Sequence, residues 1–431
     1  MRALLSAFGT RGDVQPMFAL GLELQRRGHQ VRMACPPDFA DWIRARGLEV
    51  LPLGEPIKEF MARISDREGK MQARKAMKAM PVFLGSQFPA LTEAAQDADV
   101  LIGASLTIAH VSLAEKLGKP CHTLAWCPQL LPSGEHPSPG FPSQTLPAWL
   151  NRLSFSFSSW GHRWLIKPAI DRERAKLGLR PSGETWDHIV YQRLIMASEP
   201  AIAALPADRR AEREVFHVGA FFLPEPEPLS EATQAFLAAG PPPIFVGFGS
   251  MPVPPDSTLE RAVVEAAARV KVRLIVQGER FAPFAGPEVH VAGAEPHGQL
   301  FARCAAIGHH GGAGTTAQTA RAGVPQIIFP FIVDQFFWSH RLEKLGVRAA
   351  AIDPHRATVE AVAAGFEQAL RDDALRARSA ELAKKVITDG TTRAAEVIEA
   401  TAAKGSPLTP TLSPGGEREI LLAPGSGRSL P

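Results

Sequence analysis

Short apolar runs, each followed by a helical pattern, recur along this chain, and no other feature narrows its fold as far. "RALLSAF" (2–8) is a continuous apolar run ended by a glycine, as in a strand covered on both faces. "QPMFALGLELQRRGH" follows, with Met17, Leu20 and Leu24 on one stripe, Pro16 in its first turn and Gly28 at its stop. "QVRMAC" and "LEVLPL" bracket the helical "PDFADWIRARG", and "DVLIGAS" and "PCHTLAW" bracket "HVSLAEKLG". The rhythm restarts in the second half with strands "PIFVGFGS", "VRLIVQG", "VHVAG", "AAIGHH" and "PQIIFP", and helices over 257–269, 296–303, 315–322 and 334–345. Strand–helix alternation with short loops predicts parallel sheets covered by helices, one in each half.

The proline- and acid-rich "EPEPLSEATQAFLAAGP" between the halves reads as a linker. The expected division is a first α/β domain over 1–222, a linker over 223–243 and a second α/β domain over 244–376. A closing helix over 377–402 and a disordered tail over 403–431 complete it. Residues 405–431 carry five prolines, five glycines and four serines, too few apolar groups to offset ordering. Residues 128–165 break the rhythm with prolines and serines among aromatic rings. They read either as an irregular surface excursion or as a mobile wall over a binding cleft.

With 431 residues the chain is too long for one ordinary core, and its 45% apolar content suits two. A net charge of +3 implies no polyelectrolyte partner, so nucleic acid is excluded. The one dense basic run, "REGKMQARKAMKAM" (67–80), reads as a solvated helix face or a patch toward acidic lipid. Cys35, Cys121, Cys127 and Cys304 stand far apart and fit reduced, buried thiols. The opening apolar stretch is too short for a signal peptide, and no window approaches the roughly 18 apolar residues of a membrane span. A soluble cytoplasmic protein is expected, with peripheral membrane contact left open.

"AAIGHHGGAGTT" (305–316) sits where a strand ends and a helix begins. A helix start offers unpartnered N–H groups and a positive dipole end, and glycines let a phosphate approach closely. Thr315 or Thr316 would cap the helix, and His310 would donate a ring N–H to a phosphate oxygen. Adjacent at a strand end, His309 and His310 should point to opposite faces, which disfavours a shared metal. Neither G-x-x-x-x-G-K-[ST] nor G-x-G-x-x-G after the first strand is present. Downstream, Asp334 and Gln335 open a helix at the same sheet edge, an acid and an amide suited to sugar hydroxyls.

The set "GTRGDVQP", "GFGS", "HHGGAGTT", "RAGVP" and "DQFFW" resembles the inverting UDP-glycosyltransferases of the GT-B fold, nearest the sterol glucosyltransferase and glycopeptide-antibiotic branch. The resemblance implies two Rossmann-like domains facing across a cleft, the second holding a UDP-sugar and the first a lipophilic acceptor. It implies that Gly12, Ser250, His310, Gly312, Ala313, Gly314 and Thr315 serve the diphosphate. Asp334 and Gln335 would hold the sugar, and His297, with Ala294 and Glu295, the uracil. Gln318 stands where the plant signature has a ribose-binding Glu. Asp13 replaces the histidine of the plant branch, as in the sterol and antibiotic branch, and is the expected base; alone, "GDVQP" would equally fit a helix cap. With an ordinary pKa of about 3.9 it would be ionised at neutral pH. Phe83, Phe88, Trp126, Phe141, Trp149, Phe155, Phe157 and Trp160 would line an apolar acceptor cleft. Glucose is the implied sugar, with no cofactor and no metal, and secondary metabolism the implied setting. Two rivals are a UDP-sugar epimerase, testable by incubation with UDP-GlcNAc alone, and a non-catalytic helper, which should not bind UDP.

Overall fold

The apolar runs of each half pair side by side into one parallel sheet. The computed structural model describes residues 1–64, 73–104, 107–183, 193–208, 214–251, 253 and 257–403. The first sheet contains β1 (Arg2–Ser6), β2 (Gln30–Cys35), β3 (Glu49–Pro52), β4 (Val100–Ala104), β5 (Cys121–Ala125), β6 (Leu194–Met196) and β7 (Val215–His217), ordered 3-2-1-4-5-6-7. The second contains β8 (Ile244–Gly247), β9 (Leu274–Gln277), β10 (Val289–Ala292), β11 (Ala306–His309), β12 (Gln326–Ile328) and β13 (Arg348–Ala351), ordered 10-9-8-11-12-13.

Continuous apolar strands follow from burial on both faces. Leu5 joins the core under the helix Arg11–Arg26, whereas Leu4 joins the core under the helix Ala73–Asp97. Val246 and Phe245 divide between the two faces of the second sheet in the same way. In each sheet the strand order reverses beside the first strand of its domain, between β1 and β4 and between β8 and β11. The carboxyl ends of strands at such a switch point form the crevice where open α/β sheets take ligands.

Three expectations need correction. The closing segment is two helices, Asp373–Ala383 and Gly390–Ala403, not one. The intervening chain docks on the first domain, where Glu199 Oε2 accepts the Ile387 amide at 3.0 Å. A Cβ on Gly390 would stand 2.6 Å from the carbonyl oxygen of Ala220. The last helix crosses onto the first domain, with Arg27 and His29 bonding Glu399 at 2.9 and 2.8 Å and Ile398 entering that core. Second, residues 148–165 form a continuous helix rather than an irregular excursion. Third, the expected acceptor lining disperses. Phe83, Phe88 and Phe155 are buried, the first two in the first domain's core, while Trp149, Phe157 and Trp160 face solvent. The tail over 404–431 and residues 67–72 of the basic run lie outside the described residues.

Candidate active site at the two switch points

The loop after β1 reaches Asp13 through a capping box. The Thr10 amide donates to Asp13 Oδ2 at 2.9 Å, its hydroxyl lies 3.4 Å from the same oxygen, and the Gly12 amide donates to Thr10 Oγ1 at 3.3 Å. This reciprocal cap starts the helix at Arg11, four residues ahead of the expected Gln15, and places Pro16 beyond the first turn. Both bonds to Asp13 fall on Oδ2, so Oδ1 is the oxygen open to a substrate. Capping and base chemistry are compatible here. Gly9, at φ +142°, is indispensable, because a Cβ there would lie 2.1 Å from Asp13 Oδ2.

Asp13 keeps partial solvent contact, yet its carboxyl is set deep among protein atoms. That loss of water raises its pKa to about 7; the Thr10 backbone bond opposes the rise and the charge of Asp334 adds to it. The ordinary value expected from sequence is therefore corrected upward, into the range where a general base works best near neutrality. The reactive form is the carboxylate. We expect kcat/KM for the acceptor to fall tenfold per pH unit below about 7 and to level off above it. A flat profile between pH 5 and 8 would contradict this assignment.

β11 ends in the histidine pair, whose rings stand at 89° with centroids 6.3 Å apart. His309 is fully buried. Its Nδ1 accepts the Gly311 amide at 3.1 Å, so its Nε2–H donates to Gln326 Oε1 at 2.9 Å and neither nitrogen remains for a ligand. His310 turns the other way, beside Gly249 at the end of β8. Burial holds its pKa down to about 4, so the ring is neutral, with a buried Nδ1 that has no hydrogen-bond partner among the described residues.

The following helix runs Ala313–Ala322 with Gly312 at its cap and no side-chain cap bond. The expected threonine cap is thus corrected: Thr315 and Thr316 lie inside the first turn. At the cap position a Cβ on Gly312 would stand 2.4 Å from His310 Nε2, so any larger residue must displace that ring. The amides of Ala313, Gly314 and Thr315 are left without intrahelical partners, at the helix end beside which the His310 ring lies. Gly312 has φ −66°, so Gly312→Ala strains no backbone and acts by pushing the imidazole aside. We expect about a tenfold or greater loss in kcat/KM for the donor with an unchanged circular-dichroism spectrum, by analogy with displaced transition-state donors. Wild-type kinetics would contradict it.

Ser250 is exposed at the end of β8, next to Gly249 (φ +58°), and β8 pairs directly with β11. His297 opens a short helix, its ring stacked on Phe301 at 4.5 Å. Burial lowers its pKa to about 4, helped by the charges of Arg11 and His310. Glu295 is corrected. Ser230 and Thr233 hydroxyls and the Ser230 amide occupy its carboxylate, so it fastens the helix Glu231–Ala238 instead of lining a base pocket. Gln318 Nε2 lies beside Gly298 in the same neighbourhood.

Asp334 caps the helix Gln335–Lys344 and accepts Trp338 Nε1–H at 2.9 Å on Oδ2. Burial raises its pKa to about 6, while the Trp338 bond pulls it down. Gln335 is corrected in part. Its Oε1 already accepts the amides of Phe331 and Ile332 at 2.7 and 3.1 Å, and its Nε2 reaches Met251 Sδ at 3.1 Å. It shapes the loop before Asp334 and has at most one N–H left for a sugar. That loop carries Val333 at φ +53°, an unusual conformation for a β-branched residue.

The helices that follow the two switch points, Arg11–Arg26 and Ala313–Ala322, touch each other across the domains. Asp334 acts on Asp13, and Arg11 acts on His297. The His136 ring sits between Phe155 of the first domain and Phe337 of the second, at 5.8 and 5.5 Å. Sequence reasoning missed Gly9, Gly249 and Trp338. Each lies within a quoted motif, Gly9 in "GTRGDVQP", Gly249 in "GFGS" and Trp338 in "DQFFW", and Trp338 also stands one helical turn from Asp334.

Residues 3–133 match the glycosyltransferase family 28 N-terminal domain, and residues 261–403 match the erythromycin biosynthesis protein CIII-like C-terminal domain. Glycosyltransferase GtfE of Amycolatopsis orientalis is 33% identical over 95% of this chain and 100% of its own length. This chain is a GT-B glycosyltransferase. The transferase is also similar to the vancomycin aglycone glucosyltransferase of the same organism, at 31% identity over 92% of this chain and 97% of that one. The sterol 3-beta-glucosyltransferase UGT80B1 of Arabidopsis thaliana is 30% identical over 89% of this chain and 65% of that one. Its fold matches that of the calicheamicin glycosyltransferase CalG4 with a TM-score of 0.68 at 21% identity, over 94% of this chain and 99% of the other.

Proposed function

We propose that this glycosyltransferase moves a hexose, most simply glucose, from UDP to a hydroxyl of a lipophilic small molecule with inversion. The observation that supports this best is the nearness of the two corners: Asp13, its pKa raised to about 7, lies within electrostatic reach of Asp334, whose loop borders His310's corner through Gly311 and Gln335. The acceptor O–H gives its proton to Asp13 Oδ1 as its oxygen bonds to the anomeric carbon. The bond from that carbon to the diphosphate oxygen breaks on the opposite face, and its electron pair leaves with UDP. His310 and the first amides of the helix Ala313–Ala322 meet the charge that develops there, as fixed donors needing no reorganisation. Asp334 Oδ1 faces the sugar. These groups stabilise the developing charge as hydrogen-bond donors, and no divalent cation is assigned a step.

Glucose and a lipophilic acceptor follow from similarity to proteins named as an aglycone glucosyltransferase and a sterol glucosyltransferase. The test is incubation with UDP-glucose, with EDTA present, and a panel of sterols, polyketides and aromatic alcohols. Mass spectrometry should find a hexose added, and the anomeric proton coupling should show inversion at the transferred sugar. Retention of configuration, or UDP release only without acceptor, would contradict the proposal.

A further inference from the structure

The helix Ala148–Leu165 is amphipathic in the reverse sense. Its inward face is polar: Asn151 and Ser154 are buried, Asn151 donating to the Gly134 carbonyl at 2.8 Å and Ser154 accepting the Ser138 amide at 2.8 Å. Its outward face carries Trp149, Leu153, Phe157, Trp160 and Trp164, each 54–66% exposed. At 3.6 residues per turn these five fall within an arc of about 80°. Phe157 and Trp160 stack on one another at 6.2 Å, and no other described residue covers their outer side. Arg152 and Arg163, both exposed, flank one side of the arc. On the adjacent helix Ala73–Asp97, Val82 is 69% exposed and Lys78 is exposed as well.

The chemistry of this face specifies its occupant. No Asp or Glu occurs between Glu135 and Asp171. Among the described residues, Asp208 pairs with Arg152 at 2.7 Å and Asp171 with Lys167 at 2.9 Å, so both pairs are neutral and the exposed Lys78 adds positive charge beside the face. Tryptophan and phenylalanine with flanking arginines suit the boundary between headgroups and acyl chains of an anionic bilayer. A second copy of this chain would set the same basic margin, with Lys78 and Arg163, against itself. No helix among the described residues is long and apolar enough to cross a membrane, so the contact is shallow.

We propose that this face docks the transferase on anionic phospholipid membrane, with the helix lying in the interfacial plane. The purpose, delivery of an acceptor dissolved in the bilayer, rests on the lipophilic-acceptor reading; the docking itself does not. Phe155 on the inner face of the same helix reaches His136, which contacts Phe337 of the donor domain, so the docked surface adjoins the cleft.

The test is co-sedimentation of the full chain, without substrate, with vesicles of phosphatidylcholine alone or mixed with phosphatidylglycerol. The comparison is the variant Phe157→Ser/Trp160→Ser/Trp164→Ser, whose changes lie wholly on the exposed arc. The parent should bind the mixed vesicles at least about tenfold better than the variant, with a tryptophan blue shift and weakening in high salt. Turnover of a water-soluble acceptor should be the same in both. Equal sedimentation of the two proteins would overturn the proposal. So would light scattering showing a parent dimer that the variant converts to monomer, since a second copy would then cover the face. Because vesicle binding is read without sugar transfer, failure of the proposed reaction would leave this result standing.

Discussion

Asp13→Asn is expected to abolish transfer, with kcat reduced roughly 10²–10⁴-fold, while UDP-sugar binding stays close to that of the parent. Asparagine keeps an oxygen to accept the Thr10 amide, so the cap of the first helix survives and the change removes only basicity. The donor groups lie on the other domain, which isolates the effect to chemistry. The same variant carries a stability signature. Because the native pKa is raised above the unfolded value, the native state binds the Asp13 proton more tightly, and that advantage is lost as pH rises through about 7. Above that pH the buried carboxylate is a cost that asparagine avoids. The variant should therefore melt at a higher temperature than the parent at pH 8, and the difference should disappear near pH 4. Stopped-point assays with calorimetry check both arms; parent-like turnover would remove Asp13 from the reaction.

His310→Ala is the second large effect. The ring is half-buried and neutral, lies beside Gly249 and Gly312, and has an Nδ1 without a hydrogen-bond partner among the described residues. On the proposed reading, its removal takes away a fixed donor at the point where the diphosphate gains charge. By the measure of other single donors of this kind, kcat should fall about 10²–10³-fold. UDP affinity, read by isothermal titration, should weaken as well, since the ground-state diphosphate carries charge too. His309→Ala should behave differently. It breaks the bond to Gln326 and the support of Gly311, so its loss should appear first in thermal stability. Equal UDP binding and turnover in His310→Ala and the parent would place the phosphates elsewhere.

The sheets were readable because doubly covered strands need unbroken apolar runs, and Leu4, Leu5, Val246 and Phe245 supply them. β6 escaped notice because three residues, Leu194–Met196, carry too little pattern to stand out. The helix Ala148–Leu165 was obscured by Ser154, Ser156, Ser158 and Ser159, which favour turns locally; tertiary bonds to the preceding loop overrode them. At the site, the glycine corner announced itself through residue types that only a close backbone approach requires. Its partners did not. The pKa of Asp13 depends on burial and on Asp334 from another domain, and no local stretch encodes that. Glu295 and Gln335 show the converse. Their types suited ligand contacts, but the fold had already committed their oxygens to Ser230, Thr233 and the Phe331–Ile332 amides.

Carboxyl-carbon NMR titration of selectively labelled aspartate, in the parent and in Asp334→Asn, measures the cross-cleft arrangement directly. Asp13 should titrate near 7 in the parent, and its midpoint should drop when the Asp334 charge is removed. A midpoint near 4 that ignores the substitution would mean that the two carboxylates do not face one cleft.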